Sequence, residues 1–212
     1  MTMENDARFW DRSARRYAAR PVADQAEYER TLERTHALLK PSDKVLELGC
    51  GTGTTALRLA GSVQSYLATD ISAAMIAIAE EKHAAGPVAG LVFRAATAEA
   101  FPPGAAPFSA VLGFNYLHLV RDLPGTLRCV HALLAPQGLF ISKTPCVGDM
   151  NPLIRLAVLP AMRAIGKAPY AGVFRAAELS QLLSAAGFDI VATECHATKG
   201  NDNRLYIVAR KG

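Results

Sequence analysis

Three glycines at alternate positions, Gly49, Gly51 and Gly53, follow the apolar run Val45-Leu46-Glu47-Leu48 and precede Thr54-Thr55-Ala56-Leu57. The pattern reads as a buried strand, a tight turn and the first turns of a helix. Glycine lets the backbone take positive φ and lets a ligand come close to the main chain. The new helix offers unpaired N–H groups and the positive end of its dipole, a site for an anion. A second apolar run, Tyr66-Leu67-Ala68-Thr69, ends at Asp70. A carboxylate at the end of that strand can accept both ribose hydroxyls of an adenosine-bearing ligand. The glycine spacing is Gly-x-Gly-x-Gly, not the Gly-x-Gly-x-x-Gly of the dinucleotide fingerprint, and the acidic Glu47 stands two residues before it.

Positioning these groups takes a series of alternating strands and helices. Residues 4–20 carry Phe9, Trp10, Ala14, Tyr17 and Ala18 near helical spacing, and a second helix runs from Tyr28 to Leu39. Ser72 is a suitable N-cap for a helix over Ala73–His83. Gly90–Arg94 reads as a third strand, and the nearly all-apolar Phe108–Phe114 as a fourth, buried on both faces. A helix over Leu123–Leu134 leads into a fifth strand, Leu139–Ser142, ended by Lys143 and Thr144. Pro152–Lys167 reads as a helix that Pro160 kinks or divides. A helix from Glu178 closes at Gly187, and Phe188–Thr193 and Leu205–Ala209 form an antiparallel hairpin around the polar turn 199–203.

The segment Glu47-Leu-Gly-Cys-Gly-Thr-Gly53 resembles the first motif of the class I S-adenosylmethionine-dependent methyltransferases of the small-molecule, UbiE-like kind, and Asp70-Ile-Ser72 resembles the second. The Leu-x-Pro-x-Gly turn at Leu134–Gly138 and the reversed terminal strand are similar to the family as well, so the resemblance covers nearly the whole chain. It implies an α/β fold: a seven-stranded, Rossmann-like, doubly wound sheet with a C-terminal antiparallel hairpin. It also implies one domain over 1–212: a helical lid at 1–40, a cofactor-binding core at 41–144, a substrate cap at 145–174, and a final helix and hairpin at 175–212. S-adenosylmethionine is the implied cofactor and S-adenosylhomocysteine its product. Glu47, Gly49, Cys50, Gly51 and Gly53 would hold the methionine end and Asp70 the ribose. Ile71 and Met75 would flank the adenine, with Thr97, Ala98 and Glu99 beside it, and Phe114 and Asn115 would complete the site. The family commonly has Asp where Thr97 stands, a departure for which Glu99 can compensate. By the same resemblance Tyr17 would fall in the lid, and Tyr116 and His118 would face the transferable methyl group, which makes these three the candidates for a base.

The 212 residues suffice for one sizeable α/β domain, and half of them are hydrophobic. No apolar stretch of about 20 residues argues for a membrane span, and no basic, apolar leader is visible at the N-terminus. Cys50, Cys129, Cys146 and Cys195 are scattered without a Cys-x-x-Cys pair, which reads as free thiols in a cytoplasmic protein, with no metal set. The net charge of +4 is too modest to argue for nucleic acid. Residues 143–175 hold Lys143, Arg155, Arg163, Lys167 and Arg175 against Asp149 alone, either a solvated basic face or a cap for a hydrophobic or anionic small molecule. Two other functions stay open on sequence: a module that binds the cofactor without transferring methyl, and a nicotinamide-dependent oxidoreductase. The glycine spacing, Glu47 and the terminal hairpin speak against the latter.

Overall fold

A computed structural model describes residues 2–102, 107–198 and 203–212. Its centre is a seven-stranded sheet of order β3-β2-β1-β4-β5-β7-β6. The strands are β1 (Lys44–Leu48), β2 (Ser65–Asp70), β3 (Leu91–Ala95), β4 (Phe108–Phe114), β5 (Leu134–Pro145), β6 (Phe188–Glu194) and β7 (Arg204–Lys211). The first five run parallel, and β7 lies antiparallel between β5 and β6. The expected seven-stranded sheet with its terminal hairpin is therefore present. The hairpin's return strand sits inside the sheet and β6 forms the edge; the tip of its turn lies outside the described residues.

Strand alternation sends side chains to two helical layers. Leu46, Val111, Phe140 and Ile207 pack with Leu127, Val130, Leu179 and Leu183 of α5 (Leu123–Leu133) and α7 (Ala176–Ala185). Val45, Ala68, Leu112 and Val208 pack on the other face with Leu32 of α2 (Gln25–Leu38), Ala56 of α3 (Thr54–Leu59) and Ile76 of α4 (Ala73–Ala85). Caps fix several helix starts: Asp24, Ser72 and Asp122 accept from the backbone N–H of Glu27, Met75 and Gly125.

The first helix, α1 (Met3–Ala18), packs outside this sandwich on α4 through Ala14, Met75, Ile78 and Trp10. A bidentate Arg15–Glu81 pair adds to the contact. The segment over Pro152–Lys167, expected as a helix kinked or divided at Pro160, is a π-helical stretch, Ile154–Val158, that passes directly into α6 (Leu159–Ala164). The backbone stays helical through Pro160, and the wider π turns before it accommodate the missing proline N–H without a break. Lys143 departs from the expected basic face: it is buried against Glu27 of α2.

Candidate active site

At the carboxyl end of β1 the chain turns through Gly49 (φ 70°) and Gly53 (φ 74°), both in the left-handed region that favours glycine. A Cβ at Gly49 would stand 2.8 Å from the Tyr116 ring, and one at Gly53 would stand 2.7 Å from Phe93. The loop is tied to β2 by Cys50 N–H donating to the Thr69 carbonyl (2.9 Å) and Gly51 N–H donating to Asp70 Oδ2 (2.9 Å). Asp70 Oδ1 accepts from Ser72 N–H at 2.9 Å. Each carboxylate oxygen keeps a lone pair for a further donor. Burial raises the Asp70 pKa, and the two amides oppose that shift by favouring the charged form.

A chamber of about 930 Å³ opens over this edge. It gathers Tyr17, Gly49, Gly51, Asp70, Ile71, Met75, Thr97, Glu99, Phe114, Asn115, Tyr116 and His118, which sequence reasoning drew from five separate segments. A second chamber of about 360 Å³ lies behind the glycine loop and shares Tyr17, Gly49, Gly51, Phe114 and Asn115 with the first. Glu47 and Cys50 line only this smaller chamber. Gly53 and Ala98 line neither; Gly53 is packed against Phe93 and Ala79, and Ala98 is buried in the core.

The roof of the main chamber is α1, through Met3, Asp6, Trp10 and Tyr17. Asp6 takes a bidentate ion pair from Arg121, 2.7 and 2.9 Å, which ties α1 to the segment after β4 within the chamber lining. Asp11 accepts from Ser72 Oγ at 2.6 Å and so fixes the middle of α1 above the Asp70 turn. No described residue of 145–174 lines either chamber, although Gly172 N–H donates to the His118 carbonyl at 2.7 Å. Asp6 and Arg121 escaped sequence reasoning because residues 115 positions apart give no local signal.

The three candidates for a base are uncharged at neutral pH. Burial raises Tyr17 and Tyr116 above the usual phenol range. Burial lowers His118 to about 4, so its imidazole is neutral but a weak proton acceptor. Its Nδ1 lies 2.9 Å from Thr144 Oγ1, which also accepts from the His118 backbone N–H at 3.2 Å. Asn115 has left-handed backbone (φ 52°), held by its N–H donating to the Lys143 carbonyl at 2.6 Å. Asparagine is among the few residues that take this conformation readily.

Behind the glycine loop, Glu27 (4% exposed) accepts from Lys143 (7% exposed) at 2.5 Å and from Arg204 at 2.8 Å. Lys143 also donates to Thr31 Oγ1, which lies 3.0 Å from His196 Nδ1. His196 is thus part of a buried polar network joining α2 to β5 and β7. Glu47 is fully buried with Tyr66 donating to it at 2.8 Å, and desolvation raises its pKa to about 7.

This edge fits an adenosine-bearing ligand: Asp70 supplies free acceptor sites for hydroxyls, Ile71 and Met75 apolar surface for a base, and Gly49 and Gly51 an approach unobstructed by a Cβ. The family model described as a methyltransferase domain matches residues 14–193. Among curated proteins, the chain is 36% identical over 101 residues to a ubiquinone biosynthesis O-methyltransferase of Methylocella silvestris, a match covering 48% of this chain and 39% of that one. It is 27% identical over 208 residues to the mitochondrial arginine-hydroxylase NDUFAF5 of Danio rerio, covering 91% of this chain and 63% of that one. Both matches span less than two thirds of the relative's length. Among solved structures, the magnesium protoporphyrin IX methyltransferase of Synechocystis PCC 6803 with bound SAH superposes with a TM-score of 0.75 at 16% identity, covering 99% of each chain. At that identity the likeness shows the fold alone. Glycine loop, reversed strand and domain match agree: this chain belongs to the methyltransferase-domain family, in the class I S-adenosylmethionine-dependent group.

Proposed function

We propose that this chain transfers a methyl group from S-adenosylmethionine to a small-molecule acceptor by direct displacement. The observation that carries the reading is the single chamber shared by the glycine loop, the Asp70 carboxylate and the turn Phe114–His118. The bound cofactor would supply an already activated methyl group on a cationic sulfur. Asp70 would hold its ribose, Ile71, Met75 and Thr97 its adenine, and the backbone at Gly49 and Gly51 its methionine end. Glu47 and Cys50 would support that end from behind the loop, and Gly53 and Ala98 would shape the site through packing. Tyr17, Tyr116 and His118 would orient the acceptor as neutral hydrogen-bonding groups, and the α1 roof would exclude water.

Trp10, Leu119 and Val120 in the same lining favour an acceptor with an apolar body; Arg121 is paired with Asp6, and Arg128 shares the lining with Asp70, Glu99 and Asp122. Incubation with methyl-labelled cofactor and a panel of phenols, carboxylic acids and amines tests the reading. Label in one acceptor class is expected; cofactor binding with no labelled product from any class contradicts it. A second reading rests on the Danio rerio relative, whose name gives hydroxylation to a related chain. It predicts an oxygenated product that carries no label.

A further inference from the structure

We propose that the segment from Leu153 to Lys167, a helix to Ala164 and the turn after it, docks on an anionic lipid bilayer. The interior of this segment should be dry if it served only to cap the site. Instead Leu153 (66% exposed), Leu156 (69%) and Ile165 (63%) stand in solvent, joined by Ile154, Val158 and Met162. None of the residues of α6 is buried. Six large apolar side chains are exposed within 13 consecutive positions, a density of exposed apolar surface that marks an interaction site.

Charge decides which surface. From Met150 to Ala177 the sequence holds Arg155, Arg163, Lys167 and Arg175 and no Asp or Glu. Apolar side chains mixed with bases and no acid match a bilayer interface, where the apolar groups enter the acyl boundary and the bases meet anionic headgroups. A second copy of the chain would bring the same bases together and is disfavoured on that ground. No helix among the described residues is long and apolar enough to cross a membrane, so the contact is with the surface.

The helix is also joined to the chamber. The Arg163 guanidinium lies 5.1 Å from the centre of the Tyr170 ring, and that of Arg121 lies 4.5 Å from the same ring. Arg121 pairs with Asp6, and both line the chamber. A bilayer held by this segment is therefore linked through Tyr170 and Arg121 to the chamber lining.

Flotation of the full chain with vesicles tests the proposal, using phosphatidylcholine alone and phosphatidylcholine mixed with phosphatidylglycerol. Partition onto the anionic vesicles is expected to exceed that onto neutral ones about tenfold or more, and to weaken as salt rises. The triple variant Leu153→Gln, Leu156→Gln, Ile165→Gln changes only exposed positions and is expected to abolish partition with its melting temperature retained. Lys167→Gln is expected to weaken partition about fivefold. No partition onto anionic vesicles, equal partition onto both kinds, or flotation of the triple variant like the parent each overturns the proposal. A concentration-dependent dimer that the triple variant abolishes, with no vesicle binding, gives the face to a second copy and also overturns it.

Discussion

Asp70 lines the chamber and accepts from Gly51 and Ser72 N–H, so two backbone amides fix the orientation of its carboxylate. His118 is positioned from the other side by Thr144, and its low pKa gives stability a definite pH dependence. The folded state holds the imidazole neutral down to about pH 4, whereas an unfolded histidine titrates near 6.5. The unfolded state therefore binds more protons between these values, and stability contributed by the neutral ring is lost as pH falls from about 6.5 toward 4. Glu47, raised to about 7, acts with opposite sign, losing stability as pH rises through that value. The difference between the parent and His118→Asn isolates the histidine. It is expected to change by about 3 kcal/mol across pH 4–6.5 in denaturant titrations. In turnover, His118→Ala and Tyr116→Phe are each expected to lower kcat less than about a hundredfold, below the range for loss of a general base. Asn115→Val would force a β-branched residue to φ 52° and is expected to cost about 2 kcal/mol, with Asn115→Gly nearly neutral.

Helix α1 covers the chamber through three polar ties: Asp6 to Arg121, Asp11 to Ser72 and Arg15 to Glu81. The last is exposed and contributes little, whereas the first is largely buried and lies in the chamber lining. Asp6→Asn is expected to speed cofactor release several-fold in stopped-flow displacement while leaving the melting temperature within a few degrees. On the opposite side α2 is joined to the sheet by Glu27, shared between Lys143 and Arg204. Glu27→Gln leaves the Lys143 ammonium buried beside a neutral amide and is expected to cost about 3 kcal/mol in denaturant unfolding. Neither tie was legible in sequence, since its partners lie more than a hundred positions apart. Lys143 in particular reads as one base among five in a basic stretch, and only the register of β5 against α2 turns it inward. The helices themselves were legible because their caps are local: Ser72 and the glycine after α7 mark their ends within one turn.

For the molecule as a whole, seven apolar runs separated by glycine, proline and capping residues gave the order of elements and the reversed hairpin, because strand alternation and turn chemistry are written locally. The glycine loop and Asp70 were legible for the same reason, and the fold brings them into one chamber. A helical lid at 1–40 was legible through the resemblance, and α1 of that segment lines the chamber, whereas no described residue of 145–174 does. The seat of α1 on α4 was not legible, because it is long-range packing that no local pattern encodes. A ligand that bridges the glycine loop, β2 and α1 should stabilise the folded chain by about 2.7 kcal/mol at a hundredfold excess over its Kd. The measurement that tests the central claim most directly is calorimetric titration with S-adenosylmethionine, S-adenosylhomocysteine and NAD, on the parent chain and on Asp70→Ala. Binding of the first two, with none of NAD and loss of both in the variant, is predicted. Binding of NAD alone, or binding of S-adenosylmethionine that Asp70→Ala leaves unchanged, would contradict the account.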